Sequence, residues 1–495
     1  MSGRFLLAID QGTSSSRTVI YDHSVAAVGS AQQEFPQIYP QPGWVEHDPE
    51  AIWQSVQDVT RQAMQKAAAT AADISAIGIT NQRETTLIWD RDSGECIHNA
   101  IVWQDRRTAS RCEQLKADGV EPLVIEKTGL RLDPYFSATK IAWMLDNVQG
   151  ARERAATGKL AFGTVDCFLL WRLTGGQVHA TDATNASRTM LFNIHTQQWD
   201  EELLELFDIP GELMPEVRDC AADFGESDDA TLGGAAPILG IAGDQQAALI
   251  GQAGFDKGTT KSTYGTGCFV IANTGDEALV SENKLLTTVA SRVDGQVTFG
   301  LEGSVFVAGS AMQWLRDELG IIESAQQSEQ IAAATGIVDD VYVVPAFAGL
   351  GAPYWDAQAR GAILGLSRGS GRDEIVTATL QAVAFQTRDL IDAMSEDGIF
   401  PSTIRVDGGM VANGWFLQFL ADILDIPVER PVNVESTVLG AAYLAALQGG
   451  VIESRDQIAG LWQRDALFEP DMTDERREQL MTGWAQAVAR VRTGK

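Results

Sequence analysis

Cysteine is scarce and scattered in this chain of 495 residues: Cys96, Cys112, Cys167, Cys220 and Cys268 are odd in number and never form Cys-x-x-Cys. That argues against a disulfide framework and the common zinc spacings, and fits a reducing compartment. Long apolar runs are missing as well. No stretch approaches the ~18–20 apolar residues that span a bilayer, and residues 1–9 lack the charged region and cleavage site of a secretory leader. Membrane insertion is therefore not expected, and a cytoplasmic location is. Basic residues are few: 37 Lys plus Arg, nine of them Lys, face 67 Asp plus Glu, for a formal charge of −30. Nucleic acid demands clustered cations against its phosphates, so no nucleic-acid partner is expected. An anionic small molecule must instead find local donors, which backbone N–H groups at turns supply.

What is present describes an ordinary globular protein. Hydrophobic residues make up 45%, with 12 Trp and 47 Gly, enough for large cores, and the length allows about two to four domains. Residues 5–10 (FLLAID) form a short apolar run ending in an acid. A turn-forming stretch at 12–16 and a second strand-like run at 18–22 follow, so a hairpin with a polar tip is predicted. Asp48 and Pro49 read as N-cap and first residue of a helix with Ile52, Val56, Val59 and Ala63 on one face. Residues 74–79 resume a strand. The mixture favours an α/β sheet flanked by helices. Gly-Thr turns recur at 12–13 and 265–266, a hint of two related domains, with a boundary placed by patterning near 245–260. Residues 404–407 read as a buried strand breaking at Gly408 and Gly409, with a helix beyond carrying Trp415, Phe416, Phe419, Leu420 and Ile423. Strand, glycine turn and helix suit a phosphate. Residues 440–447 form a small-residue helix suited to close backbone approach.

Three clusters carry possible chemistry. In residues 10–17 an acid at a strand end precedes a turn dense in hydroxyls and closed by Arg17. Gly12 admits close approach, Thr13, Ser14 and Ser15 donate, Arg17 pairs with phosphate and Asp10 can hold Mg2+. A polar hairpin tip is the plainer alternative. Neither Walker A nor Gly-x-Gly-x-x-Gly occurs. In Gly243-Asp244-Gln245-Gln246 a carboxylate follows an apolar strand and is well placed as a base, or else is an N-cap Asp opening a helix. Residues 80–86 set Arg83 beside Glu84 at a strand end, able to ligate hydroxyls; an ordinary surface ion pair is the competing reading. Gly365-Leu366-Ser367-Arg368-Gly369 matches a hydrolase nucleophile elbow, but all five His precede it and the hydrolase order needs one after it.

Taken together, these residues resemble the FGGY carbohydrate kinases across almost the whole chain. The matching segments include 10–17, 43–49, 78–86, 99–107 (NAIVWQDRR), 133–137, 184–196, 243–249, 264–269, 349–356 (GLGAPYWD) and 405–413 (RVDGGMVAN). Both family signatures are recognisable, at 135–147 and 361–381. The resemblance implies two actin-like or hexokinase-like (ribonuclease H-like) α/β domains, 1–250 and 251–495, flanking a cleft for ATP and Mg2+. By that resemblance Thr13, Ser14, Ser15, Arg17, Thr266 and Gly309 contact the nucleotide phosphates, and Gln313, Gly409 and Asn413 lie about the nucleoside. Arg83, Glu84, Tyr135, Asp244 and Gln245 match glycerol-binding positions, with Trp103 and Phe269 as apolar walls, Asp244 as base and Asp10 toward the metal. The activity implied is ATP-dependent phosphorylation of glycerol by a homodimer or homotetramer. Another sugar or polyol kinase, or an actin-like ATPase switch, stands as the alternative.

Two segments depart from the pattern. Some bacterial members respond to fructose 1,6-bisphosphate through Gly-Gly-Thr-Arg; here residues 233–236 are Gly-Gly-Ala-Ala, so the bidentate partner of a phosphate is gone and that inhibition is not expected. Residues 470–478 differ from the segment that binds a phosphotransferase carrier protein, with Arg476 where an acid would help bridge zinc. That partnership is not expected either.

Overall fold

The computed structural model describes residues 3–356 and 358–493; Met1 and Ser2 of the leading segment lie outside the described residues. The predicted hairpin is present. β1 (Phe5–Gln11), β2 (Ser15–Asp22) and β3 (Ala27–Glu34) form an antiparallel meander, with Asp10 opposite Arg17. β4 (Ile74–Asn81) runs parallel to β1, and β5 (Ile238–Gly243) parallel to β4, giving the order β5-β4-β1-β2-β3. Every residue of β4 is buried, as expected of a parallel strand covered on both faces. α1 (Pro49–Lys66) starts as predicted: the Asp48 carboxylate accepts the Glu50 N–H, Pro49 occupies the first turn, and Ile52, Val56, Val59 and Ala63 are buried. That apolar face lies over β2 and β3.

A second sheet repeats the scheme. β6 (Thr260–Tyr264) and β7 (Cys268–Gly275) form the hairpin around the second Gly-Thr turn, and β9 (Gln296–Val305) completes an antiparallel trio. β10 (Ile404–Asp407) runs parallel to β6 and β11 (Val428–Pro431) parallel to β10. β8 (Leu286–Val293) and β12 (Arg464–Phe468) extend the two edges to give β8-β9-β7-β6-β10-β11-β12. Three antiparallel strands followed by two parallel ones occur in both sheets, so the weak echo of Gly-Thr turns marks one strand plan used twice.

The helices place the two sheets against each other. α2 (Asp244–Gly251) follows β5, α3 (Gly309–Asp317) and α4 (Ala325–Thr335) follow β9, and the long α5 (Arg372–Glu396) packs on α4 and on α6 (Gly414–Leu424). The second core is built from Phe385, Phe416, Phe419 and Leu420, closed by Trp484 of α8 (Asp474–Val491). α7 (Ser436–Gln448) behaves differently: it comes from the second half of the chain but packs on α2, β5, β4 and β1 of the first. Close approach explains its composition. A Cβ on Gly440 would stand 1.8 Å from the Ala247 carbonyl oxygen, and one on Gly78 of β4 would stand 2.1 Å from that of Ala441. β8 binds the halves from the other side, through Thr287 N–H to Gly129 O at 3.0 Å and a 3.0 Å hydroxyl contact between Thr288 and Ser187.

Gly365–Gly369 is an exposed turn after the short strand Ala362–Leu364, and among the described residues Ser367 Oγ hydrogen-bonds with Ser370 Oγ and the Gly369 N–H alone. Among the described residues no helix is long and apolar enough to cross a membrane.

Candidate active site

The two hairpin turns face one cavity of about 210 Å3 at the junction of the sheets. Asp10 is the penultimate residue of β1, and Gly12, Thr13 and Ser14 follow at the hairpin tip; from the other lobe come Gly265, Thr266 and Gly267. The first turn is closed by Gly12 N–H to Ser15 O at 2.9 Å and the second by Gly265 N–H to Gly267 O at 3.0 Å. Gly309 opens α3 directly behind the second turn, its N–H on Gly265 O at 2.9 Å. A larger cavity, about 900 Å3, lies at the open surface between the start of α1 and residues 91–99; neither turn borders it.

Arg83, Glu84, Trp103, Tyr135, Asp244, Gln245 and Phe269 line the same 210 Å3 cavity. Arg83 and Glu84 follow β4 and are 2% and 1% exposed, which corrects the surface ion-pair reading. Nor are they chiefly paired with each other. Arg83 Nε is 4.0 Å from Glu84 but 3.1 Å from Asp244 Oδ1, and Glu84 Oε1 accepts from Arg188 Nε at 2.7 Å. Glu84 sits at φ +62°, a left-handed conformation costing about 1–3 kcal/mol for a residue with a Cβ. Its carbonyl is held by the Ser137 and Thr86 hydroxyls, each at 3.0 Å. That kink sets two successive charged side chains on the cavity.

Asp244 is not the N-cap. Gly243 takes that place and Asp244 is the first helical residue, its Oδ1 accepting its neighbour Gln245 N–H at 2.7 Å. Burial raises the Asp244 carboxyl above the usual range, while Arg83 and Lys261 pull it back. Lys261, on β6, donates to Gln245 Oε1 at 2.5 Å and Thr263 Oγ1 at 2.8 Å, and burial lowers its ammonium to about 8. The apolar side is a ring cluster: Trp103 stands edge-on to Tyr135 at 5.6 Å and to Phe269 at 6.1 Å between centroids. Trp103 Nε1 donates to Thr13 Oγ1 at 2.9 Å, tying the wall to the first hairpin turn.

The remaining expected residues are distributed around this centre. Ser15 and Arg17 lie further along β2, with Ser15 Oγ accepting from Gln32 and Arg17 Nη1 paired to Glu435 Oε2 at 2.5 Å. Gly409 and Asn413 line a small cavity of about 70 Å3 together with Met312 and Glu329. Gln313 is the exposed neighbour of Met312 on α3, and Asn413 caps α6 by accepting the Phe416 N–H at 2.8 Å. Sequence reading missed Glu302, Arg188 and Lys261. Glu302 lies in the apolar and glycine-rich run of β9 and Lys261 among the threonines and serine of β6; Arg188 lay inside the recognised 184–196 segment without a role. The one signal in the sequence is Glu302, a charge inside a buried strand run; Lys261 in its polar strand carries none.

Magnesium suits the donor set. Burial, and then the neighbouring Asp244 charge, push Asp10 up to about 7, so two carboxylates share a cleft in which a divalent cation would relieve their repulsion. No cluster of three or more potential His, Cys, Asp or Glu ligands occurs among the described residues.

Two lobes of like strand plan, each presenting a hydroxyl-bearing turn to a cleft with a carboxylate beyond it, define a two-domain phosphotransferase fold. The chain belongs to the FGGY family of carbohydrate kinases, whose N-terminal domain model matches residues 5–251 and whose C-terminal domain model matches residues 260–449. It is 60% identical over 489 residues to glycerol kinase 1 of Pseudomonas aeruginosa, and 61% identical over 491 residues to a glycerol kinase of Ectopseudomonas mendocina, covering 99% of each chain in both cases. Among solved structures it is similar to Plasmodium falciparum glycerol kinase with ADP, at TM-score 0.90 and 37% identity, covering 98% of both chains. A xylulose kinase of Lactobacillus acidophilus shares the fold at TM-score 0.86 and 24% identity over 98% of this chain and 97% of that one.

Proposed function

We propose that this protein transfers the γ-phosphoryl group of ATP to a terminal hydroxyl of glycerol, giving sn-glycerol 3-phosphate. The observation that carries this reading is one cavity of about 210 Å3 in which Arg83, Glu84, Asp244, Gln245 and Tyr135 face two aromatic walls, with Asp10 and both hairpin turns at its border. Glycerol has a hydroxyl on every carbon and a C–H surface between them. Arg83, Glu84, Asp244, Gln245 and Tyr135 suit the hydroxyls; Trp103 and Phe269 suit the C–H surface. A site built to pair buried polar groups with hydroxyls rejects an analogue that leaves them unpaired, by up to ~10⁴-fold or more.

Asp244 serves as general base, accepting the proton of the attacking hydroxyl, a role worth about 10²–10⁴ in rate. Arg83 Nε and the Gln245 N–H both hold its Oδ1. The N–H groups and hydroxyls of Thr13, Ser14 and Thr266 hold the phosphates from both lobes, and Arg17, released from Glu435, adds a guanidinium. Gly409 and Asn413 border the nucleoside. Asp10 would hold Mg2+, which when bound neutralises phosphate charge as the group transfers. Trp103 bridges acceptor wall and Thr13, so packing of the alcohol and placement of the phosphates are linked. Closing the cleft excludes water, which otherwise competes as acceptor.

The test is ADP formation by purified protein with ATP and Mg2+ across a panel of glycerol, xylulose, gluconate and no acceptor. Glycerol is expected to give the highest kcat/KM. A preference for xylulose or gluconate would overturn the acceptor, and turnover indifferent to any alcohol would favour a nucleotide switch.

A further inference from the structure

The acceptor side of the cleft is organised by a buried charge square whose corners come from both lobes. Glu302, on β9 of the second sheet, is 0% exposed. It grips Arg83 with both oxygens, Oε2 to Nη1 at 2.5 Å and Oε1 to Nη2 at 3.1 Å, and Oε1 also accepts from Arg188 Nη2 at 2.8 Å. Arg188 in turn holds Glu84. A bidentate guanidinium–carboxylate pair fixes orientation as well as charge. We propose that Glu302 is a positioning residue for the acceptor: it clamps the Arg83 guanidinium from the opposite lobe, so the polyol grip is complete only when the two lobes are apposed. This rests on the glycerol reading above.

The geometry shows what the clamp prevents. Arg83 lies within 3.1 Å of Asp244 and 4.0 Å of Glu84, the two carboxylates that the polyol hydroxyls need. Glu302 and Gln246 Oε1 share Nη1, and Glu302 takes one of the two Nη2 hydrogens; the other has no hydrogen-bond acceptor among the described residues. Without Glu302, Arg83 is free to turn onto Asp244 and Glu84 and compete with the alcohol. Arg188 would also lose its second partner and draw Glu84 further from the cavity. Burial works against the Glu302 carboxylate, but Arg188 and Arg83 overcome it and hold it down at about 2, so it stays ionised throughout the working range. Neither turn nor the small cavity at Asn413 touches Glu302, so nucleotide binding has no direct stake in it.

Steady-state kinetics with glycerol and ATP varied separately test the role, and glycerol's solubility allows very high KM values to be read. Glu302→Gln is expected to raise the glycerol KM about 10²-fold, the scale of breaking a buried pair, with ATP KM changed less than about threefold. Glu302→Asp keeps the charge and shortens the reach, and is expected to raise glycerol KM about tenfold, which keeps the idea testable should the Gln variant not fold. Because Glu302 acts through Arg83, Arg83→Ala combined with Glu302→Gln should have a glycerol KM within about threefold of Arg83→Ala alone. A Glu302→Asp variant with wild-type glycerol KM, ATP KM rising in step with glycerol KM, or a double variant losing tenfold beyond Arg83→Ala would each overturn the clamp. If the wild type itself fails to turn over glycerol, the acceptor reading falls and the clamp with it; an active wild type with unaffected variants overturns the clamp alone.

Discussion

Replacing Asp244 by Asn isolates proton transfer from geometry. The introduced amide would present an oxygen of the same reach to the Gln245 N–H, 2.7 Å from Asp244 Oδ1, and to Arg83 Nε at 3.1 Å, so both supports of the side chain survive. What goes is the negative charge and the ability to take a proton. A positioned general base is worth about 10²–10⁴ in rate, which corresponds to about 3–5 kcal/mol of barrier at 1.36 kcal/mol per decade. The nucleotide should notice little, because the proposed function puts its phosphates on the turns at Thr13 and Thr266 and its nucleoside beside Gly409 and Asn413, none of which touches Asp244 through a hydrogen bond. Removing the Asp244 charge also relieves one of the causes that raise Asp10, so Mg2+-nucleotide affinity is expected to stay within a few-fold. The assay is ADP release at saturating glycerol by a coupled spectrophotometric measurement, with ADP affinity by calorimetry on the same preparation. A kcat within tenfold of wild type would refute the assignment of the base, and a loss shared equally by nucleotide affinity would show that Asp244 builds the cleft rather than performs the transfer.

Trp103→Ala removes the ring that packs on Tyr135 and Phe269 and the donor to Thr13; glycerol KM should rise about 10–100-fold and discrimination against five-carbon polyols should relax, and unchanged kinetics with both acceptors would refute the wall. Gly440→Ala places a Cβ 1.8 Å from the Ala247 carbonyl and forces α7 off the first sheet at a cost of about 1–3 kcal/mol or more; thermal melting should shift down by several degrees, and an unmoved melt would mean that the contact is slack. Asp389 on α5 accepts from Trp484 Nε1 at 2.8 Å and Tyr354 OH at 2.9 Å, and burial raises it to about 7. A carboxyl whose folded value lies above its unfolded one makes the folded state bind the extra proton, so its contribution weakens as pH rises from the unfolded carboxylate range toward about 7. Asp389→Asn keeps both acceptor contacts without ionising. It should therefore melt above wild type at pH 8, with the gap closing toward pH 5; a constant gap would refute the burial argument.

Much of this protein is written locally. The hairpin that carries Asp10 near the end of its first strand, the capped start of α1 at Asp48, the strand at 74–79 and the strand-turn-helix at 404–424 are short-range patterns of apolar spacing, caps and turn residues, and such patterns are set by neighbours a few positions away. The recurring Gly-Thr turn likewise foreshadowed two sheets of one plan. Charged residues were harder to read. Arg83 and Glu84 stand adjacent in sequence and look like a surface pair, yet each is satisfied by another partner, Arg83 by Glu302 at a separation of 219 residues and Glu84 by Arg188 at 104. No local periodicity encodes a partner at that distance, because the cost of burying a charge depends on which opposite charge the fold delivers to it. The same holds for α7, whose small residues declare a close approach without saying to what. Sequence alone settled the elements and the kinds of groups that line the cleft; only the folded chain decided which charges face one another across it, since that pairing exists only after both lobes have come together.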